Sequence, residues 1–245
     1  MKSTKKNLLL AAGAAPLLLF SACGSDDNAS ATNDAACDAW FEADTAVIDY
    51  LFTGQGDADS VNAALDAAIE VADPEIEQTI TDLKAAAQTQ IADPEVEASD
   101  ATLDLYGNTI SWVGDNCEVE TLDITAVDYQ FDDIPDELST GYHVVNFANG
   151  GQENHEMFAF RFNDESIESV TDIFELPEDE VFSKITPVNA IYATPGSTEV
   201  VSWNLTEPGR YAVFCAVSLG SVGDSEGDGP PHFTQGMVRE FTVTS

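Results

Sequence analysis

Positive charge is what this chain has least of. Only 8 Lys and Arg stand against 45 Asp and Glu, for a formal charge of −37. Lys2, Lys5 and Lys6 sit at the extreme N-terminus, which leaves Lys84, Arg161, Lys184, Arg210 and Arg239 for the rest. Such a surface repels phosphate, and this excludes nucleic acid and anionic lipid as direct partners. The excess acid serves the solubility of an exported protein, or electrostatic docking to a basic redox partner. Histidine is also scarce, with three residues. No segment after the N-terminal one reaches the roughly 18 consecutive apolar residues of a membrane-spanning helix. Neither a Gly-x-Ser-x-Gly nucleophile turn nor a phosphate-binding Gly-rich loop is present. Nothing places Ser, His and Asp together, so the chain is expected not to be an enzyme.

The start of the chain is read as an address rather than as fold. The three lysines precede the apolar run LLLAAGAAPLLLF, which ends in Ser21-Ala22-Cys23. A basic start, a short apolar stretch and a small-residue end are the parts of a secretory signal. A cysteine directly after Ser-Ala resembles a bacterial lipobox, although Phe20 stands where an aliphatic residue is usual. On that resemblance residues 1–22 are a lipoprotein signal peptide and Cys23 is the lipidated first residue of the mature chain. The protein would then be anchored by lipid at the extracytoplasmic face of the cell membrane. Residues 23–36 are polar and small, and read as a flexible tether.

Four cysteines are present: Cys23, Cys37, Cys117 and Cys215. With Cys23 lipidated, three remain in an oxidising compartment, where disulfides form if geometry allows. Cys37 and Cys117 bracket one segment and are natural partners. Cys215 is left over, and metal ligation explains an unpaired thiol in an exported protein.

Two modules follow the tether. Residues 37–117 carry apolar side chains at helical spacing, through Trp40, Val47, Ile48 and Leu51, then Val61, Leu65 and Ala68. Ile76, Ile80 and Leu83 continue the pattern, and Leu103, Tyr106, Ile110 and Val113 complete it. Asp73-Pro74 and Asp93-Pro94 read as helix starts. These segments predict a small antiparallel four-helix bundle, with a Cys37–Cys117 bond joining its ends. The bundle carries no His and no Glu-x-x-His di-iron pattern. It is read as a spacer, a partner platform or a lid. Residues 118–245 instead alternate, in ITAVDYQF, GYHVVNFAN, HEMFAFRF, TEVVSWNL, GRYAVFCAV and MVREFTV. Turn signals separate these runs, which predicts a β-sandwich. One insertion, Ser166 to Ile185, reads as helical with a proline break.

The chemistry lies in His155, Cys215, His232 and Met237. Two imidazoles, one thiolate and a weak thioether are the donors of a mononuclear blue-copper site. His143, the third histidine, falls mid-strand and reads as a surface or packing residue. Sixteen residues separate Cys215 from His232. Within them, Asp224-x-Glu226-x-Asp228-Gly229 has part of a calcium-loop pattern. Gln235 stands where that pattern needs Glu, so a solvated acidic turn is the reading.

The pieces NFANGGQENHEMF, PGSTEVVSWNLTEPGRYAVFC and PHFTQGMVREFTV resemble the cupredoxin (plastocyanin/azurin-like) family. The full layout is similar to actinobacterial lipoproteins that carry a small helical module before a cupredoxin domain. The resemblance implies an α+β multidomain protein, a helical bundle followed by a cupredoxin-like Greek-key β-sandwich. It implies one type 1 copper, held by His155, Cys215, His232 and axial Met237, and a one-electron carrier. Two alternatives stay open: a copper-handling lipoprotein without redox turnover, and a metal-free binding module. A second copper centre, as copper oxidases need, would require histidines that the chain lacks. The Cys-to-His interval in most of the family is only a few residues. Here the ligand-bearing strands still converge if the longer loop runs outward; the alternatives are a loop that loosens the site, covers it or disables electron transfer.

Overall fold

The computed structural model describes residues 27–50, 57–93, 96, 98–164 and 166–245. Residues 1–22, read above as a signal peptide, and Cys23 lie outside the described residues. Among those described, no helix is long and apolar enough to cross a membrane.

The N-terminal part is helical, with α1 at Asp27–Ile48, α2 at Ala58–Val71, α3 at Glu77–Ala92 and α4 at Asp100–Asn116. Asp57 caps α2, its side chain accepting from the Ser60 amide at 2.8 Å, and Ser99 caps α4 through the Thr102 amide at 3.2 Å. Each such cap stabilises a helix by about 1 kcal/mol. Asp73 accepts from the Glu75, Ile76 and Glu77 amides and shapes the turn into α3.

Three expectations need correction. The tether ends early, because α1 starts at Asp27. Ala31, Ala35 and Ala36 favour helix, and Ala36 and Cys37 are already buried. The fourth helix does not start at Asp93-Pro94 but after Ser99, whose side chain supplies the cap; Pro94 itself lies outside the described residues. Leu103 is 58% exposed, so the buried stripe of α4 begins a turn later, at Tyr106, and continues through Thr109, Ile110 and Val113.

The Cys37–Cys117 disulfide is present and ties α1 to the end of α4. The helices share their core with a sheet. Trp40, Leu65, Ile80, Ile110 and Val113 pack together with Tyr142 and Val144, which belong to a strand.

Among the described residues nine strands follow: β1 Glu120–Val127, β2 Gln130–Asp132, β3 Glu137–Ser139, β4 Gly141–Asn149, β5 His155–Phe162, β6 Ile185–Ala193, β7 Thr198–Leu205, β8 Gly209–Phe214 and β9 Val238–Thr244. They form two mixed sheets, ordered β2-β1-β4-β7 and β3-β9-β8-β5-β6. The pairs β1/β4 and β3/β9 are parallel, and the rest are antiparallel. The fold is thus a helical N-terminal part followed by a β-sandwich. Strand β6 is absent from the alternating series read in the sequence. It holds Pro187, which an edge strand tolerates, and β6 is an edge.

Apolar side chains of the two sheets meet between them, among them Phe147, Met157, Trp203, Val213 and Phe241. Trp203 stacks on Phe241 at 5.5 Å between centroids. The insertion forms α5 (Val170–Phe174) and α6 (Glu178–Lys184), broken at Pro177. It covers Phe160 and Phe162, which face away from the inter-sheet core. The order of layers is therefore helices, first sheet, second sheet, insertion. His143 is fully buried in β4, with Nδ1 3.2 Å from the Gly141 carbonyl oxygen and Nε2 3.3 Å from Glu120. It is a packing residue, not a surface one.

Candidate metal centre

Strands β5, β8 and β9 are antiparallel neighbours. Phe158 lies opposite Phe214, and Phe214 opposite Val238. This register brings the start of β5, the end of β8 and the start of β9 to one end of the second sheet. His155 opens β5, and Cys215 directly follows β8. His232 begins a single 3-10 turn, residues 232–235, and Met237 stands just before β9. All four side chains are fully buried. Donor atoms of His155, Cys215 and His232 lie within 4.8 Å of one another. Nδ1 of His155 is 3.2 Å from Nδ1 of His232, which in turn is 3.4 Å from Cys215 Sγ. Met237 is fixed by its backbone between two of these residues. Its N–H donates to the His232 carbonyl at 3.3 Å, and its carbonyl accepts from the Cys215 amide at 3.2 Å. Gly236, at φ +104°, makes the turn that allows this, a conformation most side chains resist.

The sixteen-residue interval does not part Cys215 from His232. Its stems pair: the His232 amide donates to the Val217 carbonyl at 2.9 Å, Leu219 to Pro230 at 3.1 Å, and Phe233 to Cys215 at 2.9 Å. The zipped stems return the chain to within contact of Cys215, so the extra length costs the ligand geometry nothing. The loop then folds back over the site. Asn154 holds it with three bonds: its amide donates to the Ser221 carbonyl, its side chain to the Gly223 carbonyl, and it accepts from the Gly223 amide. Asp224, Glu226 and Asp228 are exposed. Among the described residues, His155, Cys215 and His232 are the one group of such side chains that converges.

Each imidazole has a carboxylate on its far nitrogen. His155 Nε2 is 3.3 Å from Asp128 Oδ1, and His232 Nε2 is 3.0 Å from Glu153 Oε2. Burial opposes the charge on both carboxylates, yet their donors outweigh it and hold both pKa values below the usual range. For Asp128 the donors are the Gln152 and Glu153 amides and His155. For Glu153 they are the Gly220 amide, His232 and Tyr129. A carboxylate that stays ionised demands a proton on the nitrogen facing it. Both Nδ1 atoms are then bare lone pairs, aimed at each other across 3.2 Å beside a sulfur. The protonated Cys215 thiol can meet His232 Nδ1 at 3.4 Å, which still leaves the two imidazole nitrogens facing each other, a repulsive contact that a bound cation would relieve. The pKa of His155 is lowered, first by burial and then by His232, so a second imidazole proton is an unfavourable remedy. Burial also pushes the Cys215 thiol up to about 11, against the amides of Glu156 and Val217 that point at its sulfur. Metal binding at this thiol therefore releases a proton.

The donor chemistry fits copper. A thiolate is soft, imidazole suits either oxidation state, and a buried thioether is at hand. His155, Cys215 and His232 thus come together as the sequence predicts, and Met237 stands next to them through its backbone bonds. Asp128 and Glu153 were not legible from sequence. Glu153 is two residues from His155 but serves His232, and Asp128 reaches His155 only through the β1–β2 turn.

The fold is a two-sheet sandwich with a buried His-Cys-His group, the donor set of a candidate metal site, at one end. No family model matches the chain, and no curated protein matches it. Among solved structures it is similar to cupredoxins. The reduced auracyanin of the photosynthetic bacterium Roseiflexus castenholzii has 20% identity and a TM-score of 0.35, over 51% of this chain and 97% of that one. Auracyanin A of Chloroflexus aurantiacus, titled a "blue" copper protein, has 19% identity and a TM-score of 0.33, over 51% and 98%. A purple cupredoxin of Nitrosopumilus maritimus has 13% identity and a TM-score of 0.28, over 51% and 99%.

Proposed function

We propose that this chain is a type 1 copper protein that carries one electron at a time outside the cytoplasmic membrane. The observation that carries this reading is the set of two facing imidazole lone pairs and one unpaired buried thiol, with Met237 locked beside them. His155, Cys215 and His232 would hold the metal, and Met237 would be its weak axial donor. Copper, when bound, supplies a Cu(II)/Cu(I) couple. The protein's own part is to keep the donors fixed, exclude water and leave the geometry unchanged between the two states. All four residues are buried at one end of the second sheet, which suits that task. Tethering through Cys23 and docking to a basic redox partner complete the proposal. The first rests on the Ser-Ala-Cys ending, the second on five basic residues against 45 acidic ones after the N-terminal lysines.

Adding one equivalent of Cu(II) to the purified protein tests this reading. An intense visible thiolate-to-copper band and a reversible one-electron wave are expected. A protein that takes up no copper, or takes it up without the band, sinks the electron-carrier reading. The cover of loop 216–231 over His232 favours one alternative, a copper-holding protein without turnover. A blue protein that exchanges no electrons with any mediator would establish that alternative. Mass spectrometry of the N-terminal peptide should find lipid on Cys23 that Cys23→Ser abolishes; a wild-type protein that is wholly soluble and unchanged by Cys23→Ser refutes the anchor.

A further inference from the structure

We propose that Asp128 and Glu153 are the positioning residues of this metal centre, and that Glu153 also latches loop 216–231 onto it. The inference rests on the copper reading above and assigns a role to residues outside the ligand set. Both carboxylates meet the nitrogen that does not face the metal, so each fixes its imidazole with Nδ1 inward. Such partners raise the donor strength of the ring, and their loss typically lowers metal affinity by ~10- to 100-fold. Their negative charge also favours Cu(II) over Cu(I), because the oxidised site carries one more positive charge. The site should therefore sit at a lower potential than its four ligands alone would set.

Glu153 does more than Asp128. Its Oε1 accepts from the Tyr129 hydroxyl at 3.1 Å. Its Oε2 accepts from His232 Nε2 at 3.0 Å and from the Gly220 amide at 2.6 Å. One carboxylate thus joins a ligand, the β1–β2 turn and the loop that buries the ligand. Its side chain is only 19% exposed, against 31% for Asp128, so its charge is the less screened of the two. Gly151 completes the arrangement: a Cβ there would lie 2.4 Å from Asp128 Oδ1 and 2.7 Å from His155 Nε2. Glycine leaves room for the Asp128–His155 contact.

The test uses the full-length protein and three variants: Glu153→Gln, Asp128→Asn and Glu226→Gln. Glu226 is an exposed loop carboxylate, so its variant matches the charge change without touching an imidazole. Glu153→Gln should keep the visible band, weaken Cu(II) binding at least tenfold and raise the potential by about 59 mV for each tenfold change in Cu(I)-over-Cu(II) preference. Asp128→Asn should do the same to a smaller degree, and Glu226→Gln should change neither. If Glu153→Gln matches Glu226→Gln in potential and affinity, the inference is overturned. A second measurement stands apart from copper. Nitrogen-15 shifts of the metal-free protein should show His155 and His232 with the proton on Nε2, and Glu153→Leu should lose that preference at His232. Protons on Nδ1 in the wild type overturn the inference even if copper binds. Wild-type protein that binds no copper but shows the Nε2 protons refutes the electron carrier and leaves the positioning role standing.

Discussion

Two of the buried polar clusters among the described residues treat their lone pairs in opposite ways. One lies at the seam between helices and first sheet. Asp44 of α1 is 1% exposed and accepts from the hydroxyls of Tyr106 and Tyr142 at 2.9 Å each and of Ser202 at 2.5 Å. The Tyr142 hydroxyl is itself filled by Trp40 Nε1 at 3.2 Å, and that of Tyr106 by the Asn189 side chain at 3.1 Å. Every group there has a partner of the opposite kind. The other cluster is the candidate metal centre, where two imidazole nitrogens face each other beside a buried thiol. Burial of polar groups is normally offset by internal pairing. A cluster that pairs internally holds the fold together, whereas one that converges acceptors is built around something else.

The largest effect expected separates the two clusters outright. Cys215→Ser should abolish the visible band entirely, because a hydroxyl supplies no soft donor and no charge transfer. Its melting point without copper should stay close to wild type, since a small buried side chain is exchanged for one of similar size. A surviving blue band would remove Cys215 from the site. Removing the Cys37–Cys117 disulfide should do the reverse. The bond closes a loop of about 80 residues. Its loss should cost about 4 kcal/mol, through the unfolded chain's regained freedom, and leave the band in place. Urea titrations of the oxidised protein and the Cys37→Ser/Cys117→Ser variant would measure this.

Asp44 sharpens the comparison next. Asp44→Ala strands three hydroxyls and should destabilise by about 3 kcal/mol, with no change in the spectrum. Asp44 also gives the fold a pH dependence of defined sign. Burial raises its pKa above the ordinary carboxylate value, partly offset by the Ser202, Tyr142 and Tyr106 hydroxyls. A raised folded-state pKa means that the folded chain holds this proton more tightly than the unfolded one. Asp44's contribution is then full below about pH 3.9, its unfolded value, and declines as pH rises through the folded value. Asp44→Asn mimics the protonated form. Its stability relative to wild type should improve as pH rises from about 4 to 7. A difference that is flat, or that moves the other way, would show that the buried group is ionised throughout.

The same contrast explains what the sequence could and could not disclose. The convergence of His155, Cys215 and His232 was legible because residues with such donors are rare in this chain. The Cys37–Cys117 pairing was legible because the two cysteines bracket one periodic segment. The strands of alternating pattern were visible, but β6 was hidden by Pro187, which only its edge position permits. Leu103 fitted the helical stripe and is nevertheless exposed, since periodicity does not say where packing against a neighbour begins. The Asp44 cluster and the two carboxylates on the imidazoles were invisible for a common reason. The chain is crowded with acids, 45 in all, and nothing local marks the three that face inward. Asp44 lies 158 residues from Ser202, and Glu153 lies 79 from His232. Only the packing of α1 and the return of the long loop bring them to their partners.

The smallest effect expected is also the finest test of the metal cluster. Two methionines are fully buried in the inter-sheet core, Met157 and Met237. Met157 lies two residues past His155, on the same face of β5. Met237 is instead held by backbone bonds to both Cys215 and His232. The ligand assignment chooses Met237, and a pair of conservative changes checks that choice. Leucine matches methionine in volume, so each exchange should cost less than about 1.5 kcal/mol. Met237→Leu should keep the blue band, since the thiolate that gives the colour is untouched. It should raise the potential, because a donor that stabilises Cu(II) more than Cu(I) is lost. A tenfold change in that preference corresponds to about 59 mV. Met157→Leu should leave the potential near that of the wild type. Cyclic voltammetry of the three proteins under one condition reads the difference directly. If Met157→Leu gives the larger shift, the axial donor comes from β5 and not from the turn before β9.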